Sequence, residues 1–114
     1  MSIFLETLEK YNYDGEDADR LHEAHESNIL VRLALNGLTE IAIELNNLHS
    51  ARFRLENRLK KKDKYDCAEA IRADIDALNA RSNDLEGDAE SIVTSLKSSY
   101  SLNVEPFFRL IYIY

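Results

Sequence analysis

The densest cluster of charge in the sequence is a run of basic residues near its middle. Positions 52 to 64 hold seven of the fourteen lysine and arginine residues of a chain whose net charge is −7. Arginine and lysine bind phosphate groups, and an aromatic ring beside them can stack on a base. The alternative is a solvated helix end whose cations complement the helix dipole. The residues of this candidate ligand-binding site are Phe53, Arg54, Arg58, Lys60, Lys61, Lys62 and Tyr65.

Two pairs of carboxylates spaced four residues apart form a second candidate site. They are Glu40 with Glu44 and Asp84 with Asp88. All-helical nucleotide pyrophosphatases hold magnesium with clustered carboxylates on such helices. Their paired Glu-x-x-Glu and Glu-x-x-Asp motifs are missing from this sequence, and a solvated acidic face is the alternative.

The histidines form a third group. Asp19, His22 and Glu26 share one helical face by their spacing, and His25 lies one turn from His22. The heptad frame places these residues toward solvent, and the two Glu-x-x-His motifs of di-metal bundles are missing. We therefore expect no metal site and no cofactor, and we interpret His49 as a hydrogen-bonded histidine at a helix interface.

No nucleophile with a partner base is evident. Cys67 begins the second predicted helix, where the dipole could lower its pKa, but no histidine is near it in sequence. A packing role is therefore expected for this cysteine.

Two long helices must position these residues, because apolar side chains recur at alternating steps of three and four. We predict an antiparallel hairpin with helices over 17–62 and 66–99 and a bend at 63–66. Arg52 alone interrupts the first row. The first row is Leu38, Ile41, Leu45, Leu48, Leu55 and Leu59, and the second is Ala68, Ile71, Ile75, Leu78, Ser82, Leu85, Ala89, Ile92 and Leu96.

Folding the chain near residue 63 sets the register of this hairpin. Arg52 comes level with Asp74 and Asp76, which predicts an ion pair or a buried polar contact. Gly37 comes level with Gly87. A glycine inside a helix costs about 1 kcal/mol relative to alanine, so the pair indicates a close approach of backbones or a crossing by another chain. Two unrelated, tolerated glycines are the alternative.

The ends of the chain and one helix face lead to a prediction of self-association. Residues 2–11 form a short helix, and the apolar tail over 104–114 favours an extended strand that packs on the hairpin or on a neighbouring subunit. The first long helix carries a second apolar stripe that the short helix is too small to cover. We therefore expect a helical-bundle homo-oligomer. This stripe consists of Leu35, Ala42, His49 and Phe53, and Ile29, Leu30 and Ile43 add to it.

Length and composition fit a single all-α domain over residues 1–114. The chain has 45% apolar and 31% charged residues, with three glycines and one proline. The net negative charge argues against nucleic acid as a partner. One cysteine and the lack of a signal peptide indicate the cytoplasm, and no apolar run is long enough for a membrane span.

Two motifs resemble those of an uncharacterised family of bacterial and phage helical proteins. Phe53-Arg54-Leu55-Glu56-Asn57 with Lys60 resembles Trp-x-Leu-Glu-Asp-x-x-Arg, and Ile75-Asp76-Ala77-Leu78-Asn79 with Arg81, Asp84 and Leu85 resembles Ile-Asp-x-x-Asn-x-x-Arg-x-x-Asp-Leu. The resemblance covers residues 46–90 and departs from the family at Phe53, Asn57 and Lys60. It implies a helical hairpin, a phage-encoded accessory protein and a polar network across the two helices. That network would consist of Glu56, Asp76, Asn79, Arg81 and Asp84.

Three functions follow from these patterns. The leading hypothesis is a non-enzymatic oligomeric protein that binds or sequesters an anionic small molecule, such as a signalling nucleotide. The first alternative is an interaction or inhibitor module whose acidic helix faces contact a basic host protein. The second is a metal-dependent nucleotide pyrophosphatase that uses Glu40, Glu44, Asp84 and Asp88.

Overall fold

The computed structural model describes residues 2–61 and 68–112, and these fold into helices without any strand. This confirms the all-α prediction. The described residues extend over 56 × 25 × 22 Å, and none of their helices is long and apolar enough to cross a lipid bilayer. The helices are α1 (Ile3–Lys10), α2 (Glu16–Ser27), α3 (Ile29–Lys60), α4 (Ala68–Tyr100) and α5 (Glu105–Ile111).

The two long helices, α3 and α4, pack against each other as an antiparallel pair. Glu44 on α3 bonds Arg81 on α4, whereas Arg52, further along α3, bonds Asn79, which precedes Arg81 on α4. The predicted apolar rows meet in between, with Leu38, Leu45 and Leu85 among the buried residues. The hairpin is thus confirmed, while the predicted bend at 63–66 and Cys67 lie outside the described residues.

The prediction of one continuous helix over 17–62 is wrong, because the chain breaks at Asn28. Asn28 has an extended backbone, and its side-chain oxygen accepts hydrogen bonds from the amides of Leu30 and Val31 as the N-cap of α3. The Arg32 guanidinium then donates to the carbonyls of His25 and Glu26 at the end of α2. Side chains therefore bond backbone amides at the start of α3 and backbone carbonyls at the end of α2. At this break α2 folds back and packs on α3.

The second apolar stripe of α3 is covered within the chain only in part. Helices α1, α2 and α5 all pack on α3, and Leu35, Ala42 and His49 are buried. These three residues therefore need no second subunit to cover them, because helices from both ends of the chain cover them together. The rest of the stripe stays exposed, namely Ile29 at 65%, Leu30 at 63%, Ile43 at 37% and Phe53 at 62%. The homo-oligomer stays a prediction.

The C-terminal tail is helical over most of its described length, so the prediction of an extended strand is wrong. Pro106 lies in the first turn of α5, where its missing N–H costs nothing and its fixed φ favours a helix. Phe107 and Ile111, four residues apart, are buried on one face. The amide of Asn46 on α3 donates to the Ile111 carbonyl over 2.8 Å. This part of the tail therefore docks on its own chain.

The two level glycines do not mark a close approach of backbones. A methyl group built at Gly37 or Gly87 meets no atom within 4 Å outside its own helix backbone, counted over the described residues. The prediction that the two helix backbones come close at these glycines is therefore wrong. The alternative, that another chain crosses the hairpin at this level, stays a prediction.

Candidate functional site

The basic end of α3 forms one wall of a groove between α3 and α4. Arg54 and Arg58 are one turn apart on α3 and exposed, so their guanidinium groups share a face. Asp74 lies in the lining contributed by α4. The groove has a volume of about 510 Å³. Its remaining lining is apolar and consists of Ala51, Leu55, Ala77 and Leu78.

The other residues of the predicted site extend the basic surface without lining this groove. Lys61 is seven residues after Arg54, so helical geometry places it on the arginine side, and Lys60 stands in the same relation to Phe53. Phe53, Lys60 and Lys61 are all exposed. Lys62 and Tyr65 lie outside the described residues. The structure therefore brings Arg54 and Arg58 together and leaves Phe53 on a neighbouring face.

The charges of the groove favour an anion. In the lining formed by the described residues, the guanidinium groups of Arg54 and Arg58 and the carboxylate of Asp74 carry the charges. A guanidinium binds phosphate through two parallel hydrogen bonds, and an apolar floor suits a planar base or an aliphatic stem. The arrangement can therefore hold the charged and the apolar parts of one small anion together.

Polar contacts join α3 and α4 in two separate groups, whose members differ from the predicted network. In the first group Arg52 donates to Asn79 over 3.0 Å and lies 3.8 Å from Glu56. Arg52 thus makes the predicted polar contact across the helices, but with Asn79 and not with Asp74 or Asp76. An amide at position 79 is one turn further along α4 and satisfies the guanidinium without burying a second charge.

The second group is the pair of Arg81 with Glu44, at 3.1 Å. Asn79 and Arg81 therefore make contacts across the two helices, whereas Glu56 contacts Arg52 on its own helix. Asp76 and Asp84 are exposed and make no side-chain hydrogen bond among the described residues. Sequence reasoning missed Glu44, whereas the seam interruption at Arg52 did predict a polar contact at that residue.

The carboxylates of the pyrophosphatase alternative are not gathered into a metal site. Glu44 is bonded by Arg81, while Glu40, Asp84 and Asp88 are exposed. Over residues 2–61 and 68–112, no group of three or more histidine, cysteine and carboxylate side chains could hold a metal ion.

His25 is buried, so the prediction that it faces solvent is wrong. Its ring stacks on Phe4 with 5.3 Å between centroids, and its Nε2 lies 2.9 Å from the Ser2 hydroxyl. Ser2 donates in turn to Asn36 on α3. Burial lowers the pKa of His25, and the nearby Arg32 charge acts in the same direction. His22 is exposed as predicted and lies 3.7 Å from Glu26.

Tyr112 joins the C-terminal tail to both long helices. Its hydroxyl donates to Glu86 on α4 over 2.7 Å and therefore accepts from Nε2 of His49 on α3, also at 2.7 Å. The His49 and Tyr112 rings stack at 5.6 Å. This confirms the interpretation of His49 as a hydrogen-bonded interface histidine. Sequence reasoning missed Tyr112, because no local pattern shows where a tail residue docks.

Burial and charge shift the acidity of both partners in this contact. Burial lowers the pKa of His49, with Arg52 acting in the same direction. Burial, then the hydrogen bond to Glu86, raises the pKa of Tyr112 to about 12. Near neutral pH the contact therefore holds a neutral imidazole and a protonated phenol.

Compared with protein-family models, curated proteins and solved structures, the chain matches none. The resemblance to the bacterial and phage helical family therefore stays a prediction. Function has to be argued from the grooves and charges of the chain itself.

Proposed function

We propose that this chain is a non-enzymatic binding protein whose basic end binds a phosphate-bearing small molecule, such as a nucleotide. The observation that carries the proposal is the placement of Arg54 and Arg58 on one wall of a groove with an apolar floor. Exposed cations alone would equally fit a solvated helix end. A groove beside them gives the uncharged part of a ligand a place to bind.

Different parts of the groove would bind different parts of the ligand. The two arginines are one helical turn apart, with roughly 5–6 Å between their Cβ atoms, so their guanidinium groups can share one phosphate or take adjacent ones. Leu55 and Leu78 offer apolar surface to a base or stem. Asp74 repels phosphate from the α4 side and can accept an N–H from the ligand, which gives the ligand one preferred orientation.

Titration with a panel of nucleotides tests this proposal directly. Isothermal titration of the full chain with mono-, di- and cyclic nucleotides should identify a ligand whose affinity falls at least about tenfold in Arg54→Ala and in Arg58→Ala. Arg54→Lys keeps the charge but removes the paired N–H donors of the guanidinium, so it should weaken binding by less than Arg54→Ala does. The melting temperature should not change, because both side chains are exposed.

The matched control is Arg20→Ala. Arg20 is also exposed and lies on α2, where it pairs with Glu16. It should leave the affinity unchanged, since it lies outside the basic end. Equal affinity in the wild type and in both groove variants would refute the proposal.

The interaction-module alternative is favoured by the surface of α4. Asp84, Glu86, Asp88 and Glu90 are all exposed on this helix. A basic partner protein bound there should be released by salt, because exposed charges are screened at high ionic strength. Salt-sensitive capture of one purified basic host protein, with no nucleotide present, distinguishes this alternative. The homo-oligomer, the phage origin, the cytoplasmic location and the pyrophosphatase stay predictions.

A further inference from the structure

A second groove, of about 640 Å³, lies between α4 and α5. Helix α5 packs mainly on α3, which leaves this groove open beside α4. Its floor includes Ala89, Val93 and Phe108, which are buried or half-buried. This apolar floor could be covered by a ligand of small or moderate size.

One end of this groove combines aromatic rings with carboxylates. The rings of Phe108 and Tyr112 lie 5.5 Å apart at an angle of 57°, and both line the groove. Glu86 lines it too and accepts the Tyr112 hydroxyl. Glu90, one turn further along α4, also lines the groove and makes no hydrogen bond or ion pair with the described residues.

The positive charges of the lining do not neutralise this end. Arg109 is paired with Glu105 at 2.6 Å. Lys97 is seven residues beyond Glu90, which places it roughly 10 Å further along α4. Arg52, whose charge acts on Tyr112, is held by Asn79 and Glu56 and is not part of the lining.

We propose that this groove binds an organic cation, namely an alkylammonium or guanidinium group on an apolar stem. Aromatic faces attract such cations, and the attraction grows where water is partly excluded. The charged head would lie over Phe108 beside Glu90 and Glu86, with its stem along Val93. This site is independent of the proposed anion site, because it shares no lining residue with the groove at Arg54 and Arg58.

Nuclear magnetic resonance titration of the full chain provides the first test. The probes are butylammonium and butylguanidinium, with 1-pentanol as a neutral molecule of similar length. Saturable shifts confined to residues of the α4–α5 groove, with binding at least about tenfold weaker for the alcohol, are expected. No saturable shift with either cation, or equal binding of the alcohol, would overturn the proposal.

Two variants and a matched control locate the cation. Glu90→Gln removes an unpaired carboxylate and Phe108→Leu removes a ring while keeping apolar volume, so each should weaken binding about fivefold to tenfold. Asp88→Asn makes the same charge change on α4 outside the lining and should leave binding within about twofold. Equal weakening by Glu90→Gln and Asp88→Asn would show only general attraction to an acidic helix, which contradicts a built site.

A last arm distinguishes the source of the cation. A blocked Gly-Arg-Gly peptide that binds more tightly than butylguanidinium assigns the groove to an arginine of a partner protein. Tighter binding of the free guanidinium assigns it to a small molecule. Both results support a cation site, and failure of both leaves the anion proposal untouched.

Discussion

At the scale of single residues, polar contacts fasten both ends of the chain to α3. Ser2 bonds His25 and Asn36 at the N-terminal end, and Tyr112 bonds His49 at the C-terminal end. A buried polar group is costly unless it is hydrogen-bonded, so each contact is satisfied in one docking position and lost in others. These side chains therefore specify where the terminal helices pack.

The two buried histidines predict a loss of stability in mild acid. Burial lowers the pKa of His25 and of His49, so the unfolded state takes up protons near pH 6.5 while the folded state does not. Their contribution to stability is present above pH 6.5 and is lost as the pH falls toward the folded-state pKa. Urea unfolding at pH 8 and pH 5.5 should therefore show a smaller free energy of unfolding at the lower pH.

Glutamine variants isolate this effect from that of the carboxylates. His25→Gln and His49→Gln should each reduce the difference between the two pH values, whereas His22→Gln should not, because His22 is exposed. The same pH difference in all four proteins would show that the buried histidines do not cause it.

Replacing Tyr112 with phenylalanine should destabilise the chain and change its response to alkali. The variant loses the hydrogen bonds to His49 and Glu86, at a cost of about 1–2 kcal/mol in the free energy of unfolding. In the wild type the pKa of Tyr112 is raised to about 12, whereas an unfolded tyrosine ionises near 10. Stability contributed by this residue is therefore present below pH 10 and lost between pH 10 and 12.

The measurement is urea unfolding at pH 8 and pH 11, with Tyr100→Phe as the control at an exposed tyrosine. Tyr112→Phe should lose less stability between the two pH values than either the wild type or Tyr100→Phe. An unchanged alkaline loss in Tyr112→Phe would contradict the role assigned to the hydroxyl.

At the scale of helices, sequence pattern succeeded where the periodicity was long. The rows on α3 and α4 repeat over many turns, so their pairing and approximate register could be predicted. The break at Asn28 could not be predicted from periodicity, because the first row begins only at Leu38. Asparagine directly before an apolar run is an N-cap signal, and this local signal marks the break that the periodicity does not show.

The short helix α5 shows the opposite limit. A proline inside a helix usually ends it, yet Pro106 lies in the first turn of α5, where proline is tolerated. Seven residues form a stable helix only by packing, and the pattern of Phe107 and Ile111 is too short to distinguish a helix from a strand. Its docking surface on α3 comes from distant parts of the chain.

Replacing the glycine of α4 with alanine should stabilise the folded chain. Gly87 is exposed and a methyl group there meets no atom of the described residues within 4 Å, apart from its own helix backbone. Gly87→Ala should therefore raise the free energy of unfolding by about 1 kcal/mol, and Ala80→Gly on the same helix should lower it by about as much. Urea unfolding measures both changes.

Sedimentation analysis of the same variants adds a test of the crossing by another chain. If a second chain approaches α4 at Gly87, the alanine variant should dissociate at concentrations where the wild type is associated. Destabilisation of Gly87→Ala without any change in association would contradict the open space around this glycine.

At the scale of the whole molecule, charge is strongly separated along the chain. Positions 52–64 hold seven cationic and two acidic side chains, whereas the rest of the chain holds seven cationic and nineteen acidic ones. Such a field steers anions to one end and cations to the remainder, more strongly at low ionic strength. The separation is visible in the sequence, and it supports two binding sites of opposite preference.

The sites themselves could be predicted only in part. Arg54 and Arg58 share a face by spacing alone, but the wall that contains Asp74 depends on the register of α4. The groove between α4 and α5 depends on the docking of the tail, which no local pattern gives.

Self-association is best sought at the end of the second stripe that lies at the start of α3. Ile29, Leu30 and Leu33 at the start of α3 are between 62% and 65% exposed, whereas Leu35 and Ala42 are covered by the chain's own short helices. A homo-oligomer, if formed, should cover the exposed residues.

The central claim is that the basic end binds a phosphate-bearing small molecule. Native mass spectrometry of the full chain, purified gently from its own host or a related cell, tests it most directly. We expect an added mass of a few hundred daltons that is retained in Arg20→Ala and lost when Arg54 and Arg58 are both replaced by alanine. An added mass retained by that double variant, or a bare chain that also fails to bind any nucleotide added to it, would contradict the claim.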